Sequence, residues 1–219
     1  EYESSDGDGT GNGSYQASSP DEAALVEAAK AFGYQFVGRS NQHIVLNVFG
    51  RAEKYELLEV LEFDSTRKRM SVITRTPEGV VRIFTKGADV MIFDLLRQDQ
   101  SSTVTASHLN EFASEGLRTL CLAYADLDED WYAEWSLRYA QAMSSFTRRE
   151  EAVAECAAEV ERDLVLLGAT AIEDKLQDGV QETLRKLEQA GVKVWVLTGD
   201  KQETAINIGI SCGVLDNGK

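Results

Sequence analysis

Four short stretches place residue types that handle phosphate where strands should end or helices begin. In "VKVWVLTGDKQET" an apolar run stops at Thr198, and Gly199 and Asp200 lead into a helix-forming segment. The end of a parallel strand beside a helix N-terminus is where α/β sheets bind ligands. There the Thr198 hydroxyl and the Gly199 amide suit a phosphoryl oxygen, and Asp200 suits the orientation of a magnesium-bound group. The same residues equally suit a plain strand-to-helix turn capped by Asp200. In "EFDSTRKRMSVI" Phe63 closes a strand-like run, and Arg67, Lys68 and Arg69 follow at once. A cationic cluster in a chain of net charge −15 suggests an anionic ligand, and an aromatic beside it suits stacking on a nucleobase. A core Phe beside a solvated hairpin turn has the same local sequence. "RIFTKGADVMIF" sets Lys86 at a strand end. Gly87 follows, and a residue without a side chain lets a ligand approach the backbone. An exposed strand-end lysine is the alternative. "SEGLRTLCLAY" opens a strand with Arg118, whose guanidinium grips phosphate through two donors or closes a salt bridge.

A fifth stretch, "SPDEAALV", combines capping signals with a carboxylate. Ser19 suits the N-cap of a helix, and Pro20 suits its first position, where no amide hydrogen is needed. Glu22, three residues after the cap, completes a capping box. The local pattern leaves open whether Glu22 only caps or also meets a ligand.

The elements that must position these residues are legible from periodicity. Residues 1–13 are acidic, Gly-rich and nearly free of apolar residues, and read as a flexible loop. After the Ser19 helix, "YQFVGR", "HIVLNVF", "YELLEVLEF", "RMSVITRT" and "VVRIFTK" are rich in β-branched and aromatic residues, with "TPEG" as a turn. They predict a meandering antiparallel sheet. "GADVMIFDLLR" and "HLNEFASEG" predict helices, "LRTLCLAYADL" a further strand, and 127–162 a charged helical stretch. From Asp163 the texture changes to "DLVLLGATAIED", a helix ending at Gly191, the wholly apolar "VKVWVL", and another helix. Fully apolar strands alternating with helices predict a parallel sheet buried on both faces. The expected architecture is an α+β domain with an antiparallel sheet flanked by helices, followed by the opening of an α/β, Rossmann-like domain.

Taken in order, "YQASSPDEAALV", "FDSTRKRMSVI", "TKGAD", "EGLRTLC", "LLGATAIEDKLQDGV" and "VWVLTGDKQETAINIG" closely resemble the type IV P-type ATPases, the phospholipid flippases. The resemblance runs from about Tyr15 to Val214. "TGD" and "KGA" belong to P-type ATPases generally, whereas "SPDEAALV", "RKRMSVI" and "ATAIEDKLQDGV" mark the lipid branch. The resemblance implies a nucleotide-binding domain over 14–167 and the start of a haloacid-dehalogenase-like phosphorylation domain over 168–219. It implies that Glu22, Phe63, Lys86 and Arg118 line an ATP site, with Phe63 on the adenine and Ser65 as a weaker candidate. Thr198, Gly199 and Asp200 would face the γ-phosphate and its Mg2+, and Asp174 would sit at the hinge between domains. The family's phosphorylated aspartate lies in a DKTGT motif, which no stretch of this sequence matches. The family's later GDGxND magnesium motif is likewise expected beyond Lys219. The chain is therefore expected to be part of a larger enzyme, to hold no metal site of its own, and alone neither to hydrolyse ATP nor to form a phosphoenzyme. The implied parent is an integral membrane protein with this segment on the cytosolic face, a phospholipid substrate and an accessory β-subunit. A cation-transporting P-type ATPase and a non-catalytic interaction module of the same fold are the alternatives.

Bulk properties agree with a globular domain: 43% hydrophobic and 27% charged residues over 219 positions. The net charge of −15 argues against a nucleic-acid or anionic-membrane footprint. No apolar run approaches the roughly 20 residues of a membrane helix. Cys121, Cys156 and Cys212 lack metal or redox spacing and point to reduced thiols in a cytosolic setting. His43 and His108 are read as structural or surface residues.

Overall fold

A computed structural model describes residues 2–3, 14–173, 176–199 and 202–215 of the chain. Two compact units divide it: Glu1–Gln100 with Leu122–Leu167, and Ser101–Cys121 with Gly168–Lys219. Nine strands and seven helices are described. A short antiparallel pair joins β1 (Tyr2–Glu3) to β2 (Ser14–Tyr15). The expected loop over 1–13 is thus paired at Tyr2 and Glu3, and its remaining residues lie outside the described ones.

Helix α1 (Pro20–Ala31) starts as its sequence predicts, with Ser19 Oγ accepting from the Glu22 amide and Pro20 opening the helix. The sheet follows as β3 (Tyr34–Arg39), β4 (His43–Val48), β5 (Arg51–Asp64), β6 (Arg69–Arg75) and β7 (Val81–Gly87), each antiparallel to the next. These strands coincide closely with the five β-branched runs, because alternation of side chains across a pleat leaves a period of two in the sequence. Along β6 and β7, Arg69, Ser71, Ile73 and Val81, Ile83, Thr85, Gly87 are buried, and the residues between them are half-exposed.

Next come α2 (Asp89–Phe93), α3 (Thr103–Ser114), β8 (Arg118–Leu127), α4 (Glu129–Ser144) and α5 (Arg149–Val160). In the first unit the buried strand face is filled by Ile73, Val81, Ile83 and Ala123, with Trp135 of α4 and Val160 of α5 completely enclosed. Trp135 stacks on Tyr139 at 5.0 Å, and its indole N–H donates to the Cys156 carbonyl at 2.9 Å, which ties α4 to α5. One face of the sheet is therefore sealed and the other, carrying Met70, Val72, Phe84 and Lys86, stays accessible.

The chain ends with β9 (Val165–Ile172), α6 (Val180–Gln189) and α7 (Gln202–Ser211). Two segments differ here from the pattern expected of them. The run "DLVLLGATAI" does not open a separate parallel sheet: β9 is the seventh strand of one sheet ordered β3-β4-β5-β6-β7-β8-β9. The run "VKVWVL" forms no strand, and Trp195 and Leu197 are exposed by 87% and 100%. Apolar content predicts burial only where neighbours exist to pair with the backbone, and no described strand hydrogen-bonds this segment. Cys121, Cys156 and Cys212 form no disulfide, and Cys121 and Cys212 are buried.

Candidate functional site

The open face of the sheet in the first unit holds the two predicted residues that the structure joins directly. Lys86 lies at the end of β7, half-buried, and its ammonium donates to both carboxylate oxygens of Glu22 on α1. This corrects the capping-box reading. Ser19 caps the Glu22 amide as expected, but the Glu22 carboxylate turns to Lys86. A lysine with its stem over an apolar sheet and its charge at the rim gains from such a partner.

Beside Lys86 is a cleft of about 150 Å³ whose walls include Met70, Val72, Phe84, Leu122 and Leu167. Sequence reasoning missed these walls. Their signal was present, since Met70 and Val72 on β6, and Phe84 and Lys86 on β7, alternate with the buried positions, but the second face of a sheet reads as ordinary half-exposure. Apolar cavities of about this size take up a benzene-sized ring.

Phe63 sits near the end of β5, 65% exposed. Register places Leu61 opposite Ser71 and Asp64 opposite Arg69, so Glu62 and Phe63 together face Met70 across a bulge. Met70 in turn faces Lys86. Two strand spacings, about 10 Å, thus separate the Phe63 and Lys86 backbones. Ser65 is exposed in the β5–β6 turn. Asp64 organises that turn by accepting from the Thr66 amide at 2.8 Å and the Arg67 amide at 2.9 Å. Those backbone donors, Arg67 first, hold the Asp64 carboxyl below its ordinary value.

The cationic cluster after Phe63 is not free for a ligand, as its sequence suggested. Arg67 Nη1 and Arg69 Nε donate at 2.9 and 2.7 Å to the two oxygens of Glu161, which is completely buried at the end of α5. Ser71 Oγ adds a third bond to Glu161 at 2.6 Å and pairs with Thr85 Oγ1 at 2.9 Å. Lys68 alone of the three faces solvent, in a left-handed conformation with φ 49°. Gly87 is also reassigned. A Cβ there would lie 2.5 Å from Arg69 Cβ and 2.7 Å from the Lys68 carbonyl oxygen. The glycine is needed so that β7 can close on β6, rather than to leave room for a ligand.

The remaining predicted residues are placed separately. Arg118 opens β8, half-buried, and belongs to the second unit. Thr198 and Gly199 lie in the exposed segment before α7, also in the second unit, where Thr198 lines a cleft with Trp195, Gln202 and Ile206. Asp174 and Asp200 lie outside the described residues. Among the described residues no group of three His, Cys, Asp or Glu side chains is arranged to hold a metal, and no helix is long and apolar enough to cross a membrane.

An antiparallel sheet with α4 and α5 packed on one face, and on the other a lysine paired with α1 beside an apolar cleft, fits a nucleotide-binding domain. The family model described as P-type ATPase, cytoplasmic domain N, matches residues 3–179. The chain belongs to the P-type ATPase family. It is 53% identical over 203 residues to human "Phospholipid-transporting ATPase ID". It is 51% identical over 203 residues to a phospholipid-transporting ATPase of Schizosaccharomyces pombe, and 51% identical over 205 residues to "Phospholipid-transporting ATPase DRS2" of Saccharomyces cerevisiae. Each comparison covers 92% of this chain but only 15–17% of the relative, so the chain spans about a sixth of the length of these curated relatives.

Proposed function

We propose that this chain is the ATP-binding portion of a phospholipid-transporting P-type ATPase. The observation that carries the reading is Lys86, held by Glu22 at the rim of an apolar cleft on the open face of the sheet. The Lys86 ammonium, positioned at this rim by Glu22, supplies positive charge for the phosphates. Phe63, exposed and two strands away, supplies a face on which the adenine stacks. The names of the relatives favour a lipid over a cation as the transported substrate of the parent protein.

The finer assignments rest on the sequence motifs. Ser65 and Arg118 contribute to nucleotide contacts, and Thr198, Gly199 and Asp200 act toward the γ-phosphate. Asp174 serves as hinge between a nucleotide-binding domain over 14–167 and a haloacid-dehalogenase-like phosphorylation domain that begins at 168. Mg2+ neutralises charge on the phosphates during in-line transfer to an aspartate of that second domain, and its ligands come mostly from outside this chain. The transported phospholipid and an accessory β-subunit engage the parent protein elsewhere, with this segment on the cytosolic side. Titration of the chain with ATP and with adenosine tests the reading. Saturable binding of both, with ATP the tighter, supports it, and no binding of either favours a non-catalytic interaction module.

A further inference from the structure

The buried Glu161 network has no place in the nucleotide contacts just described, yet it reaches the backbone beside Phe63. Glu161 is the only acidic partner recorded for Arg67 and Arg69 among the described residues. Arg67 divides its guanidinium: Nη1 goes to Glu161, and Nη2 donates at 2.7 Å to the main-chain carbonyl of Glu62. Glu62 immediately precedes Phe63 in the bulge where two residues of β5 oppose one of β6. A bulge re-aims a side chain and leaves a backbone group without its ladder partner. Arg67 supplies that partner. The Phe63 ring, 65% exposed, gains little orientation from packing, so its direction must come from its backbone. Glu161 is well suited as the fixed point. It caps the C-terminus of α5, and α5 is held to α4 by the Trp135–Cys156 bond and by the bidentate Arg138–Glu159 pair.

We propose that Glu161 and Arg67 are positioning residues for the nucleotide-stacking aromatic Phe63, acting through the Glu62 carbonyl. The chain of contacts is Glu161 carboxylate, Arg67 guanidinium, Glu62 carbonyl, Phe63 ring. The proposal rests on the reading that Phe63 stacks on the base. It goes beyond that reading by making base affinity depend on a side chain buried on the opposite, sealed face of the sheet.

The test is ATP titration of the 219-residue chain in five forms: wild type, Phe63→Ala, Arg67→Lys, Glu161→Gln, and the double variant Phe63→Ala/Arg67→Lys. Arg67→Lys keeps a cation beside Glu161 but lacks the second arm needed for the Glu62 carbonyl. It is expected to weaken ATP binding about fivefold, the lower end of the range for losing one stacked base. In the Phe63→Ala background the same substitution is expected to change nothing further, because its effect passes through the ring. Equal weakening in both backgrounds, or wild-type affinity in folded Arg67→Lys, overturns the proposal while leaving the stacking reading intact. Wild-type affinity in Phe63→Ala overturns both. Where Glu161→Gln does not fold, the Arg67→Lys pair alone decides.

Discussion

Lys86 and Glu22, 64 residues apart in sequence, form an ion pair that joins the end of β7 to the first turn of α1. The pair sits at the rim of the apolar cleft, with the lysine side chain 22% and the glutamate 34% exposed. The two roles of the α1 start are therefore separable: Ser19 caps the helix, and Glu22 holds the lysine.

That separation predicts different phenotypes. Ser19→Ala removes the acceptor for the Glu22 amide and should cost about 1 kcal/mol in urea unfolding, as loss of an N-cap does. Glu22→Gln keeps the amide bond to Ser19 and loses a partly exposed ion pair, so its stability cost should stay below about 1 kcal/mol. Its ATP affinity should fall, because Lys86 loses its tether. Unchanged affinity in Glu22→Gln would return the residue to a purely structural role.

Gly87→Ala should destabilise the chain by about 1–3 kcal/mol, the range for inserting a methyl into a filled site. The new Cβ would meet Arg69 Cβ and the Lys68 carbonyl at 2.5 and 2.7 Å, both parts of the β6 backbone region rather than a flexible chain end. Thermal or urea unfolding measures it. A neutral result would show that β6 and β7 part easily here, and would reopen Gly87 as a ligand-facing residue.

Glu59 on β5 lies opposite the fully buried Ile73, and no cation pairs with it among the described residues. Burial raises its carboxyl above the ordinary value of 4.5. Burial first, and the Glu59 charge second, push the Tyr132 phenol up to about 12. A carboxyl with a raised folded pKa binds its proton more tightly in the folded chain. Its favourable contribution is complete below 4.5 and lost as pH rises through the folded value. Glu59→Gln should therefore be more stable than wild type at pH 7, with the difference shrinking as pH is lowered toward 4.5. Unfolding curves for the two forms across that window check it, and a difference independent of pH would contradict it.

How far the sequence carries depends on whether a signal is local. The strands β6 and β7 were readable because burial alternates along β7 and from Arg69 to Ile73 of β6, and the α1 start was readable because capping chemistry spans four residues. Glu161 was not. It is one of many acids in the charged stretch 127–162, and its partners Arg67, Arg69 and Ser71 are 90 or more residues away. The cationic cluster announced an anion but could not say that the anion belongs to the chain itself. "VKVWVL" shows the converse, an apolar run with the signal of a buried strand that no described strand pairs with. Phe63 stood out in both views, as an aromatic at a strand end and as an exposed ring beside a bulge.

The central claim is that Phe63 and Lys86 together hold a nucleotide, and calorimetric titration of ATP into wild type, Phe63→Ala and Lys86→Ala tests it most directly. The account predicts weak one-to-one binding that does not require magnesium. Phe63→Ala should lose affinity on the order of 1–3 kcal/mol, as for one stacked base. Lys86→Ala should lose more for ATP than for adenosine, because its charge addresses phosphate. With 65% of its surface exposed, Phe63 should leave folding unchanged when truncated, so the loss is read as lost contact. Wild-type ATP affinity in a folded Phe63→Ala chain would contradict the account.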